Sequence, residues 1–397
     1  GGGSAWGFRP SRGPNARIDY DLPDGLYVTL DDDWRFWTGP TDDRIFNVSS
    51  LWYGYREDWN RFEDPVPEPP AGSILPDYTH RRIDWILERL VADHGVDPDR
   101  ISIAGLSNGA RGASGFTRAR PDRIASTLLF VPPPIWFTPP FAQPWGTVAQ
   151  NLPTTLPGGI GFADYIQPAV PIVPDDLPFM RMVNGTADVA VPWENVPPMM
   201  RAIDDQRWGA HLYWDEREHV GGNGGWDGAH WTLSPHHSVR ALTRHRRDVA
   251  FPAISNLDAV PAQAGRQPDP GDPVVPANGD PWGAWGGWVD WDPAAVVDRP
   301  RKFVTVLHRA QPAPVATAPV PPVVRFDVTV RRAQRFAAAP GQPFAWRLVD
   351  RATDVLLDSG FGRARLDAIV TVEGLELPDA LPQGARLEVV TLRDRLP

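Results

Sequence analysis

The chain predicts an α/β protein: a mostly parallel sheet with helices on both faces, followed by a C-terminal all-β, sandwich-like domain. Three observations carry this expectation. Apolar, β-branched runs alternate with helix-period segments between residues 77 and 250. One such run, Ile101 to Ala104, ends in Gly105-Leu106-Ser107-Asn108-Gly109 and leads directly into a small-residue helical segment. Beyond residue 281 the pattern changes to apolar–polar alternation broken by turn residues at short intervals.

At 397 residues the chain is long enough for two domains and a large core, and its 42% hydrophobic content is that of an ordinary globular protein. No apolar run approaches the length of a membrane span, and no signal peptide is visible. A net charge of −10 argues against nucleic acid or an anionic membrane as a partner. Lys302 is the single lysine among 39 basic residues, which reads as genome composition. Without cysteine there is no disulfide, no thiolate nucleophile and no Cys-ligated metal; no cofactor and no metal is expected. The 18 tryptophans and 46 prolines point to many ordered loops and an aromatic-rich surface.

The opening Gly1-Gly2-Gly3-Ser4 reads either as an artificial leader or as the tail of an H-G-G-G oxyanion loop, in which case the first strands of the sheet lie upstream. Gly25 to Leu30, entered through a Pro-Asp-Gly turn, reads as a strand, and Ile45 to Ser50 as a second short strand or part of a long loop. Trp52-Tyr53-Gly54-Tyr55 is either a structured loop near the mouth of a site, with Tyr53 and Tyr55 touching substrate, or a loop anchored into the core by its aromatics. Asp77 or Thr79 caps a helix to about His94, with Ile83, Ile86, Leu87, Leu90 and Val91 on one face and Gly95 as its stop. Ile124 to Val131 is a buried strand closed by three prolines. Residues 135 to 178, rich in Pro, Gly and aromatics, read as a lid or binding loop. Phe179 to Val183 and His211 to Trp214 complete the sheet.

The catalytic domain is expected to span 1–256, a Pro/Gly-rich linker 257–281, and the β-sandwich-like accessory domain 282–397. Its strands are Phe303–Leu307, Val323–Val330, Phe344–Val349, Ala368–Val372 and Leu387–Leu392. The cluster Trp282, Trp285, Trp288 and Trp291 binds sugars or packs the domain interface, with packing favoured.

A serine on so sharp a strand-to-helix turn sits in strained backbone, and the glycines two residues to either side remove collisions with the neighbouring segments. The helix N-terminus that follows points backbone N–H groups at any developing oxyanion. In an open parallel sheet reactive groups collect at the carboxyl ends of the strands. Three stand there in the order Ser107, Asp188, His219. A serine hydroxyl becomes nucleophilic when an imidazole takes its proton, and the imidazole needs a carboxylate to fix its tautomer. Asp164 and Asp215 compete less well for the acid. His230, with His236 and His237 behind it, rivals His219 for the base. Asn108 would give one oxyanion donor, and Gly2 or Gly3 the second.

Residues 77 to 220 resemble the catalytic core of the α/β-hydrolase esterases that include polyhydroxyalkanoate depolymerases and feruloyl or acetylxylan esterases. The resemblance is carried by Tyr78-Thr-His-Arg-Arg82, Val96-Asp-Pro-Asp-Arg100, Gly105-Leu-Ser-Asn-Gly109, Gly185-Thr-Ala-Asp188 with Pro192-Trp193 after it, and His219. It implies ester hydrolysis through an acyl-enzyme, outside the cytoplasm (secreted or periplasmic), on a polymeric or plant-derived ester. Trp193 is a candidate substrate contact. Asn108 departs from the methionine common at that place, where only the backbone is needed. The C-terminal part is similar to β-sandwich appendages of secreted enzymes. Two other functions stay open: a peptidase of the prolyl-oligopeptidase kind, whose β-propeller repeats are not visible here, and a non-catalytic binding protein on a hydrolase fold. Oligomeric state is not legible.

Overall fold

The computed structural model describes residues 25–26, 28, 33–37, 45–49, 51–56, 72–134, 145–146, 149–173, 176–186, 188–215, 219, 244–257, 283–285, 289–309 and 322–392. Strands β1 (Asp33–Trp37) and β2 (Ile45–Ser49) form an antiparallel hairpin. Gly25, Leu26 and Val28 are not in a strand, contrary to expectation, and Leu26 and Val28 are exposed, where a pleated, half-buried surface is what favours such residues as strand; the rest of that expected strand lies outside the described residues.

Helix α1 (Tyr78–His94) stops where Gly95 turns left-handed at φ 65° and its N–H returns to the carbonyl of Leu90. Ile83 is buried, and Ile86, Leu87, Leu90 and Val91 are half-buried, so the expected stripe faces inward. Asp77 precedes the helix without capping it. Its carboxylate is taken by the Thr155 hydroxyl, Arg81 and Arg120 instead. The chain then runs through β3 (Ser102–Leu106), α2 (Asn108–Ala119), β4 (Ser126–Phe130), the single turn α3 (Phe162–Tyr165), β5 (Phe179–Gly185), α4 (Val196–Asp205) and β6 (Ala210–Asp215). β3, β4, β5 and β6 lie side by side in that order, all parallel.

Register fixes which residues share a face of this sheet. Ile103, Thr127, Met180 and Ala210 are level, as are Leu106, Phe130, Val183 and Tyr213 one pleat-step out of phase. On the first face the Thr117 hydroxyl of α2 bonds that of Thr127, and Trp193, just before α4, packs on Trp214. The opposite face carries Phe179, Arg181, His211 and Tyr213. Helices on both faces were expected. Among the described residues the second face is covered instead by the aromatic rings of His245, Phe251 and Trp291, all packed on Phe179.

Those rings belong to the β-rich half. β7 (Phe251–Ser255) pairs with β12 (Val323–Arg331), which pairs with β15 (Thr371–Pro378). β8 (Gly283–Trp285) joins the parallel sheet antiparallel to β6. β9 (Val289–Trp291) and β10 (Val297–Arg299) both pair with β11 (Lys302–Arg309). From β11 the sheet continues through β16 (Ala385–Thr391) and β13 (Pro343–Asp350) to the edge strand β14 (Leu356–Arg363). The two halves interleave: β7, before the expected boundary, lies in the second half's sheet, and β8, after it, extends the first. Residues 258–281 of the expected linker lie outside the described residues. So do Trp282 and Trp288, while Trp291 packs at the junction of the halves.

Strands were expected at the places of β11, β12, β13 and β16. Ala368 instead adopts φ 65° and β15 starts at Thr371. β14 had no signal. Its residues are mostly exposed, and Gly360 and Gly362 lie beneath the rings of Trp346 and Phe344, where a Cβ would overlap them. The described part of the 135–178 insert forms its own small core, with Leu156, Phe162, Tyr165 and Ile166 packed against Tyr53 and Leu75.

Candidate active site

Ser107 stands between β3 and α2 at φ 54°, ψ −121°, in the left-handed half of backbone space that L-residues avoid. Its N–H donates to the carbonyl of Phe130 at the end of β4, and its carbonyl accepts the N–H of Arg111 one helical turn on, so both sides of the bend are held. The bend is possible because β3 and α2 nearly touch. A Cβ on Gly105 would overlap the Gly109 carbonyl.

Asp188 follows β5, as expected, its N–H reaching the Gly185 carbonyl at 3.4 Å, and its Oδ1 holds the chain beyond by accepting the N–H groups of Ala190 and Val191, both at 2.8 Å. Its other oxygen, Oδ2, is 2.7 Å from Nδ1 of His219, and Nε2 of the same ring is 2.9 Å from Oγ of Ser107. The Asp188 side chain is 1% exposed and that of His219 19%, so the carboxylate is the more deeply buried of the pair. A buried carboxylate beside Nδ1 makes that nitrogen the N–H donor. Nε2 is then free to accept the serine hydroxyl proton.

Asn108 is the first residue of α2, so its N–H has no acceptor within the helix and faces the same end as Ser107. Gly2 and Gly3 lie outside the described residues, as do His230, His236 and His237. Asp164 bonds the Asn151 amide within the insert, and Asp215 ends β6. Tyr53 is a correction. It is fully buried, its ring against His80, Phe162 and Tyr165, and its hydroxyl engaged with Thr155 and Leu75. Trp193 is likewise buried, against Trp214. Neither side chain is open to a substrate, because each fills space between elements that the sheet brings together. Tyr55 is half-buried against Tyr78.

Sequence reasoning passed over two residues beside Ser107. Val131, the first residue after β4, is buried at φ 42°, a strained conformation for a β-branched side chain. Arg111 is buried one turn into α2, with Nη2 donating to the carbonyls of Pro133 and Pro134. An arginine within the otherwise small-residue run Gly109–Gly115 was the available signal.

No family model matches the chain, and no curated protein matches it. Among solved structures the chain is similar in part to Thermogutta terrifontis esterase 2 phosphonylated by cyclosarin, at 23% identity and a TM-score of 0.27. That match covers 37% of this chain and 54% of the other, so the chain spans about half the length of that protein. It is similar also to the Bacillus cereus carboxylesterase, at 14% identity and a TM-score of 0.25, over 43% of this chain and 69% of that one. Likenesses this partial carry no functional argument, and the site's own geometry has to supply it.

Proposed function

We propose that the protein is a serine hydrolase on an α/β-hydrolase sheet that cleaves carboxylic esters through an acyl-enzyme. Ser107 is the nucleophile, His219 the general base and Asp188 the acid that orients it. The observation that supports this most is the continuous path from Ser107 Oγ to Asp188 Oδ2 through one imidazole, with legs of 2.9 and 2.7 Å. Ser107 Oγ attacks the ester carbonyl as Nε2 of His219 takes its proton. The carbonyl oxygen becomes an oxyanion facing the Asn108 N–H, with a second donor assigned to Gly2 or Gly3. His219 returns the proton to the departing alkoxide, leaving the acyl group on Ser107. Water, deprotonated by the same imidazole, then releases the acid and restores the serine.

The finer reading is a polymeric or plant-derived ester handled outside the cytoplasm, as a secreted or periplasmic depolymerase-like enzyme. It rests on the resemblance of residues 77–220 to such esterases. No helix among the described residues is long and apolar enough to cross a membrane. In this reading most of residues 1–256 are catalytic and most of 282–397 an accessory β domain, with β7 placed in the second half's sheet and β8 in the first.

A fluorophosphonate probe tests the proposal. It is expected to label Ser107 and not the Ser107→Ala variant, which should also lose ~10⁴–10⁶-fold in turnover of p-nitrophenyl acyl esters. Turnover of peptide anilides without esters would make the protein a peptidase, and an unlabelled Ser107 would leave it a binding protein.

A further inference from the structure

The six-stranded sheet of the β-rich half ends on a strand with one side open. Among the described residues β14 pairs with β13 alone. Its inner face is flush, because the rings of Trp346 and Phe344 lie over Gly360 and Gly362. Edge strands are commonly shielded by lysine, proline or a covering segment, and Leu356–Arg363 contains neither lysine nor proline. The one register shift falls opposite Leu348 and Val349, which leaves 358–363 a regular strand. The same stretch gathers apolar surface. Of the exposed large apolar side chains among the described residues, Val355, Leu356, Leu357, Phe361 and Leu366 all fall here, with Phe361 82% and Leu366 91% exposed.

One hydrogen bond fixes the phase of the open edge. The Ala364 N–H donates inward, to the carbonyl of Gln342. N–H and C=O groups alternate sides along a strand, so those of Arg363, Phe361 and Ser359 face away from β13. The Ser359 N–H is taken locally by Oδ1 of Asp358 at 2.7 Å. The N–H groups of Phe361 and Arg363 and the carbonyls of all three residues point outward.

The pattern along this edge is complementary to itself. Leu356 and Leu366 stand five positions to either side of Phe361. A two-fold axis through Phe361 sets that ring opposite its own counterpart. It also brings the Val355–Leu357 end of each copy beside Leu366 of the other. The hydrogen-bond phase agrees with this register. Phe361 exchanges N–H and C=O with its counterpart, and each Arg363 N–H meets the other copy's Ser359 carbonyl. Those four bonds leave the Asp358–Ser359 bond intact. Charge agrees as well: antiparallel pairing places the Asp358 end of one copy along the Arg363 end of the other, whereas parallel pairing would set like charges level.

We infer that two copies of the chain join edge to edge, β14 to β14, antiparallel about Phe361, so that their two sheets become one. The inference does not depend on the hydrolase reading.

The chain has no cysteine, so one introduced thiol reports the register. Phe361→Cys sets two thiols in a hydrogen-bonded pair with Cα atoms ~5.5 Å apart, within disulfide reach, and mild oxidation should cross-link the protein as a dimer. Leu366→Cys should not cross-link, since its counterpart lies roughly 30 Å along the strand. Sedimentation velocity on the full chain should give twice the chain mass, falling to one on dilution. Phe361→Lys opposes two like charges at the axis and should raise the dissociation constant roughly hundredfold or more, with the melting temperature of dilute protein unchanged. Val323→Lys, at an exposed apolar position on β12, should dimerise as wild type does. Wild-type protein that stays monomeric up to its solubility limit would overturn the inference. So would a dimer that Phe361→Lys leaves intact, or one that cross-links through Leu366→Cys and not through Phe361→Cys. A monomer that adsorbs to a polyester film and loses adsorption in Phe361→Lys would assign the edge to a polymer surface, and the inference would again fall.

Discussion

A serine at φ 54° costs on the order of 1–3 kcal/mol of backbone strain, and Ser107 keeps it because hydrogen bonds to Phe130 and Arg111 hold the bend from both sides. The acid is as firmly set. With Oδ1 taken by two backbone N–H groups, only Oδ2 of Asp188 is left for His219. Asp188→Asn should therefore keep the turn, since an amide oxygen still accepts both bonds, but present the wrong group to Nδ1. Steady-state kinetics on a p-nitrophenyl ester should show kcat down ~10⁴-fold with the melting temperature nearly unchanged. Away from the site, the buried imidazoles of His80 and His245 are held well below their ordinary pKa, by burial first and by nearby arginines second. The folded protein leaves them neutral, while the unfolded chain protonates them below about pH 6.5. Stability is then lost as pH falls through 6.5, at up to ~1.4 kcal/mol per pH unit for each imidazole. Nε2 of His245 is buried without a partner among the described residues and its ring lies on Phe179 and Trp291, so His245→Phe keeps the packing. Melting curves from pH 7 to 5 should be flatter for this variant than for wild type; an equal slope would show that His245 does not carry the effect.

At the scale of elements, the elbow depends on how closely β3 approaches α2. Two glycine substitutions separate that approach from simple backbone preference. Gly95 ends α1 in a left-handed conformation with nothing near its missing Cβ. Gly95→Ala should cost about 1 kcal/mol in urea unfolding. Gly105 has an ordinary φ, but a Cβ there would overlap the backbone of Gly109 and Ala110. Gly105→Ala should cost more than ~3 kcal/mol and abolish turnover with it. Equal costs for the two would mean that the approach is slack. Gly112 makes a similar fit, its bare Cα beneath the Trp52 indole, which docks the 51–56 loop on α2. This explains why the aromatics of that loop point inward. Aromatic content alone does not say which side of a loop faces the protein, so the sequence of Trp52–Tyr55 fits a site loop and a core anchor equally.

At the scale of the molecule, the β-rich half does the work that a second layer of helices was expected to do. Phe251 and Trp291 cover the face of the parallel sheet that carries Phe179 and Tyr213, and the apolar core runs unbroken into the sheets built from β11, β12, β13 and β16. The end of β12 is clamped as well. Arg331 donates to the carbonyls of Gln206 and Arg207 after α4, and Arg332 to those of Pro121 and Ile124 before β4. Calorimetry should thus give one cooperative transition for the full chain, where an appended module would give two. Arg332→Ala removes the guanidinium donors from the buried carbonyls of Ile124 and Pro121, leaving Pro121 the long bond from the Ile124 N–H, and should lower the stability of the whole chain by ~2–4 kcal/mol in urea unfolding. A second transition that moves alone would refute the shared core.

The strand–turn–helix at Ser107, the stop at Gly95 and the change of period in the β-rich half were legible in the sequence, because each is set by residues within a few positions of one another. What only the tertiary structure decided depends on partners far along the chain. Tyr53 and Trp193 are core and not surface, since the insert and β6 close over them. β14 is a strand despite its glycines, since Trp346 and Phe344 lie over them. β7 and β8 trade sheets across a boundary that composition alone drew between them. Arg111 is buried on its helix because the carbonyls of Pro133 and Pro134 after β4 take its guanidinium. Local patterning dictates which conformation a segment adopts, but burial is a property of the surface that arrives to cover it.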